Sequence, residues 1–146
     1  MRVSTVLIVV AASVLLIYAA LLRSWPILNI VETGKTPEYP DIQSRMYHAS
    51  REQTFDAVRR AVQGLPRWNL VADDPGSGEV KAEATSRVFR FVDDVRIRVS
   101  NREDVAVVDA RSASRIGRGD FGQNARNIRT LFRALDQEMN PLVKRS

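Results

Sequence analysis

Two stretches of strict alternation do most to limit what this chain can fold into. Val95, Ile97 and Val99 alternate with Asp94, Arg96 and Arg98, and Ala106, Val108 and Ala110 alternate with Val107, Asp109 and Arg111. A period of two puts one set of side chains on each face of a strand, so this pattern is an antiparallel pair with one buried face. A loop at Asn101-Arg102-Glu103-Asp104 sets Ile97 opposite Val108 and Val95 opposite Ala110. The same register sets Arg96 against Asp109 and Asp94 against Arg111, and a slip of one residue would bury the charges. Asp93 shares the parity of Val95, points inward and needs a partner from Arg115, Arg118 or Ser112. Such a residue reads as a latch. Being adjacent on a strand, Asp93 and Asp94 face opposite ways and cannot share an acid/base site.

Helices must cover the apolar face. Ser50 and Gln53 form a capping-box pattern ahead of Phe55, Val58, Val62 and Leu65, a stripe ended by Gly64 and Pro66. Asp120 caps a second helix, whose stripe runs Phe121, Ala125, Ile128, Phe132, Leu135 and Met139, with Pro141 closing it. Arg45 to Ala49, Trp68 to Ala72 and Val80 to Ala84 complete the strands, with turn formers at 73–78. The expected order is β-α-β-β-β-β-α, an α+β domain with two helices packed on one face of an antiparallel sheet. It occupies residues 45–140, after a Pro-containing tether at 24–44.

Ahead of the tether, Val3 to Leu22 is a run of 20 residues without charge. At about 1.5 Å per residue it would make roughly 30 Å of helix, the thickness of a bilayer's hydrocarbon core. Arg2 and Arg23 bracket it, and Trp25 and Pro26 follow. A cleaved signal peptide has a shorter apolar region and a small-x-small exit, which Ala20-Leu21-Leu22-Arg23 lacks. Residues 1–23 are therefore expected to be a single transmembrane anchor. The charge bias across it is small, but a tail this short ordinarily stays cytoplasmic. That places the protein in a bacterial inner (plasma) membrane, single-pass, with its domain in the periplasm and residues 3–22 in the membrane.

Composition excludes several chemistries. There is no Cys and a single histidine, His48, so thiolate sites, Cys nucleophiles and His-rich metal sites are out. No metal and no cofactor is expected. The chain has net charge +5, with 19 Arg against 3 Lys, and the window Arg111 to Arg133 holds six Arg and one acid. Gly117, Gly119 and Gly122 surround a strand-to-helix junction there. With Arg115, Arg118 and Asn124, converging amides and a helix N-terminus make Gly117, Gly119 and Gly122 a candidate anion-binding set. Against this, glycines also serve simply to turn the chain, and Asp120 already holds the capping position. Arg87-Val88-Phe89-Arg90-Phe91 interleaves bases and aromatics, but reads as core or lip of the sheet, and no nucleic-acid partner is expected.

One resemblance spans most of the domain. Phe91-Val92-Asp93-Asp94-Val95, the run Val108 to Arg118, and Asp120-Phe121-Gly122-Gln123-Asn124-Ala125 resemble the domain of unknown function 1499 family, over about residues 39–136 from Tyr39-Pro40-Asp41-Ile42 onward. The resemblance implies bacterial members that hang this domain from membrane helices; it implies no activity and no catalytic residue. The expected function is a non-enzymatic binding module in the cell envelope, holding an anionic group, such as a lipid headgroup, at the Gly/Arg junction. The alternatives are a scaffolding component with an envelope protein partner, or an enzyme on an anionic envelope component with Asp93 as its acid/base.

Overall fold

The computed structural model describes residues 3–24, 28–117 and 119–143. The elements are α1 (Val3–Ser24), β1 (Ile30–Glu32), β2 (Arg45–Tyr47), α2 (Arg51–Gly64), β3 (Trp68–Asp74), β4 (Glu79–Thr85), β5 (Val92–Arg102), β6 (Val105–Ser114) and α3 (Gln123–Val143). The six strands form one antiparallel sheet, in the order β1-β6-β5-β4-β3, with β2 also paired to β6. The chain is α+β, as its alternation requires.

The core lies between one face of this sheet and the apolar stripes of α2 and α3. Val80, Ile97 and Ala110 stand in one cross-strand row, and Ala82, Val95 and Ser112 in the next. All six are buried, against Val58, Val62, Ile128, Leu131 and Leu135 from the helices. The small residues of β4 leave room that Trp68 partly fills. Ser50 caps α2 as a complete capping box: its hydroxyl accepts from the Gln53 amide, and the Gln53 side chain accepts from the Ser50 amide. Tyr47 of β2 donates to Asp136 Oδ1 of α3 at 2.6 Å, pinning the sheet edge to the helix. Burial and that carboxylate together push the phenol well above its ordinary range.

Three expectations need correction. The first is the transmembrane helix. Residues 3–22 do form a helix, α1, but among the described residues no helix is long and apolar enough to cross a membrane. The second is the tether, which carries a strand. Val31 is buried and pairs with Ser112, and Thr33 N donates to Ala110 O, so β1 extends the edge of β6 beside β2. A three-residue strand is too short to show a period of its own.

The third is the hairpin register. β5 and β6 run on to Arg102 and Val105, leaving a two-residue turn at Glu103-Asp104, with Glu103 at φ +56°. Ile97 therefore faces Ala110, Arg96 faces Arg111, Arg98 faces Asp109 and Asp94 faces Ala113. The shift is two residues, so every side chain keeps its expected face while every cross-strand partner changes. The expected pairs Asp94–Arg111 and Arg96–Asp109 do not form. Asp94 takes Arg115, Arg96 lies 3.7 Å from Glu79, and Asp109 accepts from Thr33 and Ser44 hydroxyls.

The turn between β3 and β4 depends on one glycine. Gly78 sits at φ +74°, its carbonyl accepts from Val99 N, and a Cβ there would collide with the Val99 carbonyl. Gly78→Ala is expected to lose about 3 kcal/mol, from left-handed strain and steric overlap together. Ser50→Ala, which removes only the cap, is expected to lose about 1 kcal/mol. Urea unfolding of both variants checks the order, and a Gly78→Ala loss no larger than that of Ser50→Ala would contradict it.

Candidate functional site

At the end of the sheet beyond the Ala82–Val95–Ser112 row, two connections rise above the core-facing side. The first joins β4 to β5. Ser86 N donates to Phe91 O, and Phe91 N donates to the Ser86 hydroxyl, closing a loop whose Arg90 adopts φ +58°. With its ends tied, this loop cannot fold its apolar residues inward: Val88 is 77% and Phe89 67% exposed. The rings of Phe89 and Phe91 stack at 5.6 Å. The second connection joins β6 to α3 and carries Ile116 and Phe121, also exposed. Phe121 holds φ +51°, a conformation that costs a non-glycine residue energy. Together the loops line a cleft of about 610 Å³.

The floor of the cleft is polar. Asp93 and Ser114 sit opposite each other in the last row of the sheet, with Ala84 on the other side of Asp93. Asp93 is only 2% exposed. Asn127 of α3 donates to Asp93 Oδ2 at 2.8 Å and to the Ser112 hydroxyl at 3.1 Å. That hydroxyl donates to Asn124 Oδ1 at 2.6 Å. Asn124 in turn donates to the Ser114 hydroxyl and to the Asn29 carbonyl ahead of β1. Gln123 donates to Asn127 Oδ1, which fixes the orientation of that amide. Burial raises the Asp93 carboxyl above its ordinary range; hydrogen bonds from Asn127 and Ser114 oppose the rise, and Asp120 and Asp94 add to it. Asp93 points inward, as its parity requires, and accepts from an amide of α3; of the partners expected for it, Ser112 shares that amide and Arg115 turns to the opposite face.

Asp120 accepts from the amides of Gly122 and Asn124 and so occupies the start of α3 itself. Gly117 and Gly119 line the cleft, and Gly122 takes φ +74° at the entry to the helix. Asn124 is fully buried in the network. Arg115 turns to the opposite face of the sheet, where its guanidinium contacts both Asp94 Oδ1 and Glu83 Oε1 at 2.6 Å. This guanidinium holds the Asp94 carboxyl below its usual range, and the two acids raise the arginine further above its own. Arg118 lies outside the described residues. Arg111 stands across from Arg96 on the outer face. His48 is exposed beside the α2 cap. Among the described residues no group of three or more His, Cys, Asp or Glu is placed to hold a metal.

Phe89 and Phe91 stand at the lip expected of them, and Val88, Ile116 and Phe121 join them as apolar walls. The available signal was that Val88, Phe89 and Ile116 lie between the periodic segments and outside every stripe, whereas Phe121, expected at the head of the second helix's stripe, lies ahead of α3 and is exposed. Apolar side chains there have no core to enter.

Asp93 should write itself into the pH dependence of stability. Its folded pKa is raised, so the folded state holds this proton more tightly than the unfolded chain does. Stability is therefore lost as pH rises from the ordinary carboxylate value through the raised one. Asp93→Asn, uncharged throughout, is expected to remove that loss. Relative to wild type it should gain stability progressively above about pH 4 and show no further change once the wild-type carboxyl is ionised. Urea unfolding of both proteins from about pH 3 to about pH 8 checks this. A gap independent of pH would contradict it.

No curated protein matches this chain. Among solved structures it is similar to TTHA0849 from Thermus thermophilus, with a TM-score of 0.42 and 9% identity, over 77% of this chain and 98% of that one. A family model described as "Protein of unknown function (DUF1499)" matches residues 20–135, most of the chain. The chain belongs to that family.

Proposed function

We propose that the protein is a non-enzymatic binding module that holds a small, largely apolar molecule in the cleft between the β4–β5 and β6–α3 connections. The observation that carries this is the convergence of Val88, Phe89, Phe91, Ile116 and Phe121, all exposed, on one opening. Single exposed apolar side chains are ordinary on a protein surface. Five on two tied loops around one cleft form a contiguous apolar patch of the kind that marks a binding site. The volume of about 610 Å³ is that of a small-molecule site, and Asp93 and Ser114 sit together at its floor. The floor is also closed on itself. Each amide of Asn124 and Asn127 is committed within the network, which suits a rigid base for a ligand.

Nile red, a neutral dye that fluoresces in apolar surroundings, provides a direct test. One equivalent should bind saturably to the full chain. Replacing Phe89 and Ile116 together by Asp should weaken binding by at least about tenfold, which corresponds to about 1.4 kcal/mol. Arg115→Ala, on the other face of the sheet, should leave the affinity unchanged. Unaltered binding by the Phe89/Ile116 variant would overturn the proposal.

A further inference from the structure

We infer that the ligand is an anionic amphiphile, with its apolar part in the cleft and its charged head on Arg67, Arg87 and Arg126. The inference rests on the cleft reading and names the ligand class. Beside the apolar cleft lies a second hollow of about 230 Å³, and the two share Arg87, Gln123 and Arg126 in their walls. Arg67 completes the cationic side of this hollow, with Trp68 beside it. A molecule lying across the shared wall would meet phenyl and aliphatic groups at one end and three guanidiniums at the other.

Among the described arginines that reach no carboxylate, Arg51, Arg67, Arg87, Arg90, Arg102, Arg111, Arg126 and Arg133, these three are the ones that line the hollow. Arg45, Arg59, Arg60, Arg115 and Arg129 each reach a carboxylate. Among the described residues, no carboxylate lies within ion-pair distance of Arg67, Arg87 or Arg126. Arg126 donates only to neutral acceptors, the Phe121 carbonyl and Gln123 Oε1. Those two bonds aim its guanidinium and leave its charge uncompensated. Like charges gathered around one hollow repel one another, and an anion removes that cost while gaining charge-assisted hydrogen bonds. The acids fix the direction in which the ligand lies. Asp93 and Asp120 line the cleft but not the hollow, so a negative head is repelled from the floor and drawn toward the arginines. Carboxylate and phosphate heads share this chemistry.

Displacement of Nile red from the full chain by three ten-carbon compounds tests the inference. Decanoate and decyl phosphate are expected to displace the dye at concentrations at least about tenfold below that of decanol, with the advantage shrinking as salt is raised. Inorganic phosphate alone should not displace it. Arg87→Gln with Arg126→Gln should bring both anions to the level of decanol while decanol itself is unaffected. Arg87→Glu, on an exposed loop, should do the same without touching the bonds that Arg126 makes. An advantage for decyl phosphate over decanoate would assign the head to phosphate-bearing lipids, and the reverse to free carboxylic acids. Equal displacement by all three compounds, or an anion advantage that survives both variants, would overturn the amphiphile while leaving the cleft in place. If neither Nile red nor any ten-carbon compound binds, the cleft reading falls as well.

Discussion

The hydrogen bonds from Asn124 and Asn127 to the end of the sheet are the constraint on which the rest of this architecture depends. α3 meets the sheet there through amides, where the remainder of its buried face is apolar. A buried amide or carboxyl left without a partner costs roughly 1–3 kcal/mol, so the helix has few alternative positions along its axis. Sliding α3 by one turn would leave apolar contacts tolerable but would strand Asp93, Ser112 and both asparagines together. The same groups hold the approach to β1, because Asn124 donates to Asn29 O and Ser114 N does so as well. Polar specificity here fixes a geometry that hydrophobic burial alone would leave loose.

That constraint also accounts for the shape of the cleft. Asp120 N donates to Leu28 O and Asn29 Nδ2 to Gly117 O, so the β6–α3 connection is fastened to the chain that precedes β1. Held at both ends, this connection cannot collapse onto the β4–β5 loop, and the gap between them stays open. Phe121 is kept in its left-handed conformation by Asp120, whose carboxylate takes the amides on either side of Gln123. The apolar walls are therefore exposed because polar bonds prevent their closing.

The sequence carried the layers and faces of this fold but not the pairing within them. Alternation in β5 and β6 determines which side chains are buried, and Val95, Ile97, Val99, Val108 and Ala110 are all inside as their parity demands. It leaves register undetermined by multiples of two, and the turn at Glu103-Asp104 is what selects among them. The Ser50 capping box and the stripe through Ile128 and Leu135 were plain from spacing because their determinants are local. β1 was hidden because its place comes wholly from pairing with β6. The expected membrane span rested on an uncharged run, and no described helix is long and apolar enough to cross a bilayer. In the candidate site the glycines were visible at the junction, while the network that gives Asn124 its role requires residues from β5, β6 and the segment before β1.

Charge allocation follows the same division between local pattern and assembled structure. A count of arginines between Arg111 and Arg133 marks a positive segment, but the fold distributes those arginines to different surfaces. Arg115 goes to the outer face with Asp94 and Glu83, Arg129 to Asp41, and Arg126 to the cleft's edge. Arg87, distant from Arg126 in sequence, arrives beside it because β4, β5 and β6 run antiparallel and bring both loops to one end of the sheet. The positive charge left at the cleft's edge is thus a part that the acids do not reach. Its location beside an apolar opening comes from topology, and no window of the sequence contains it.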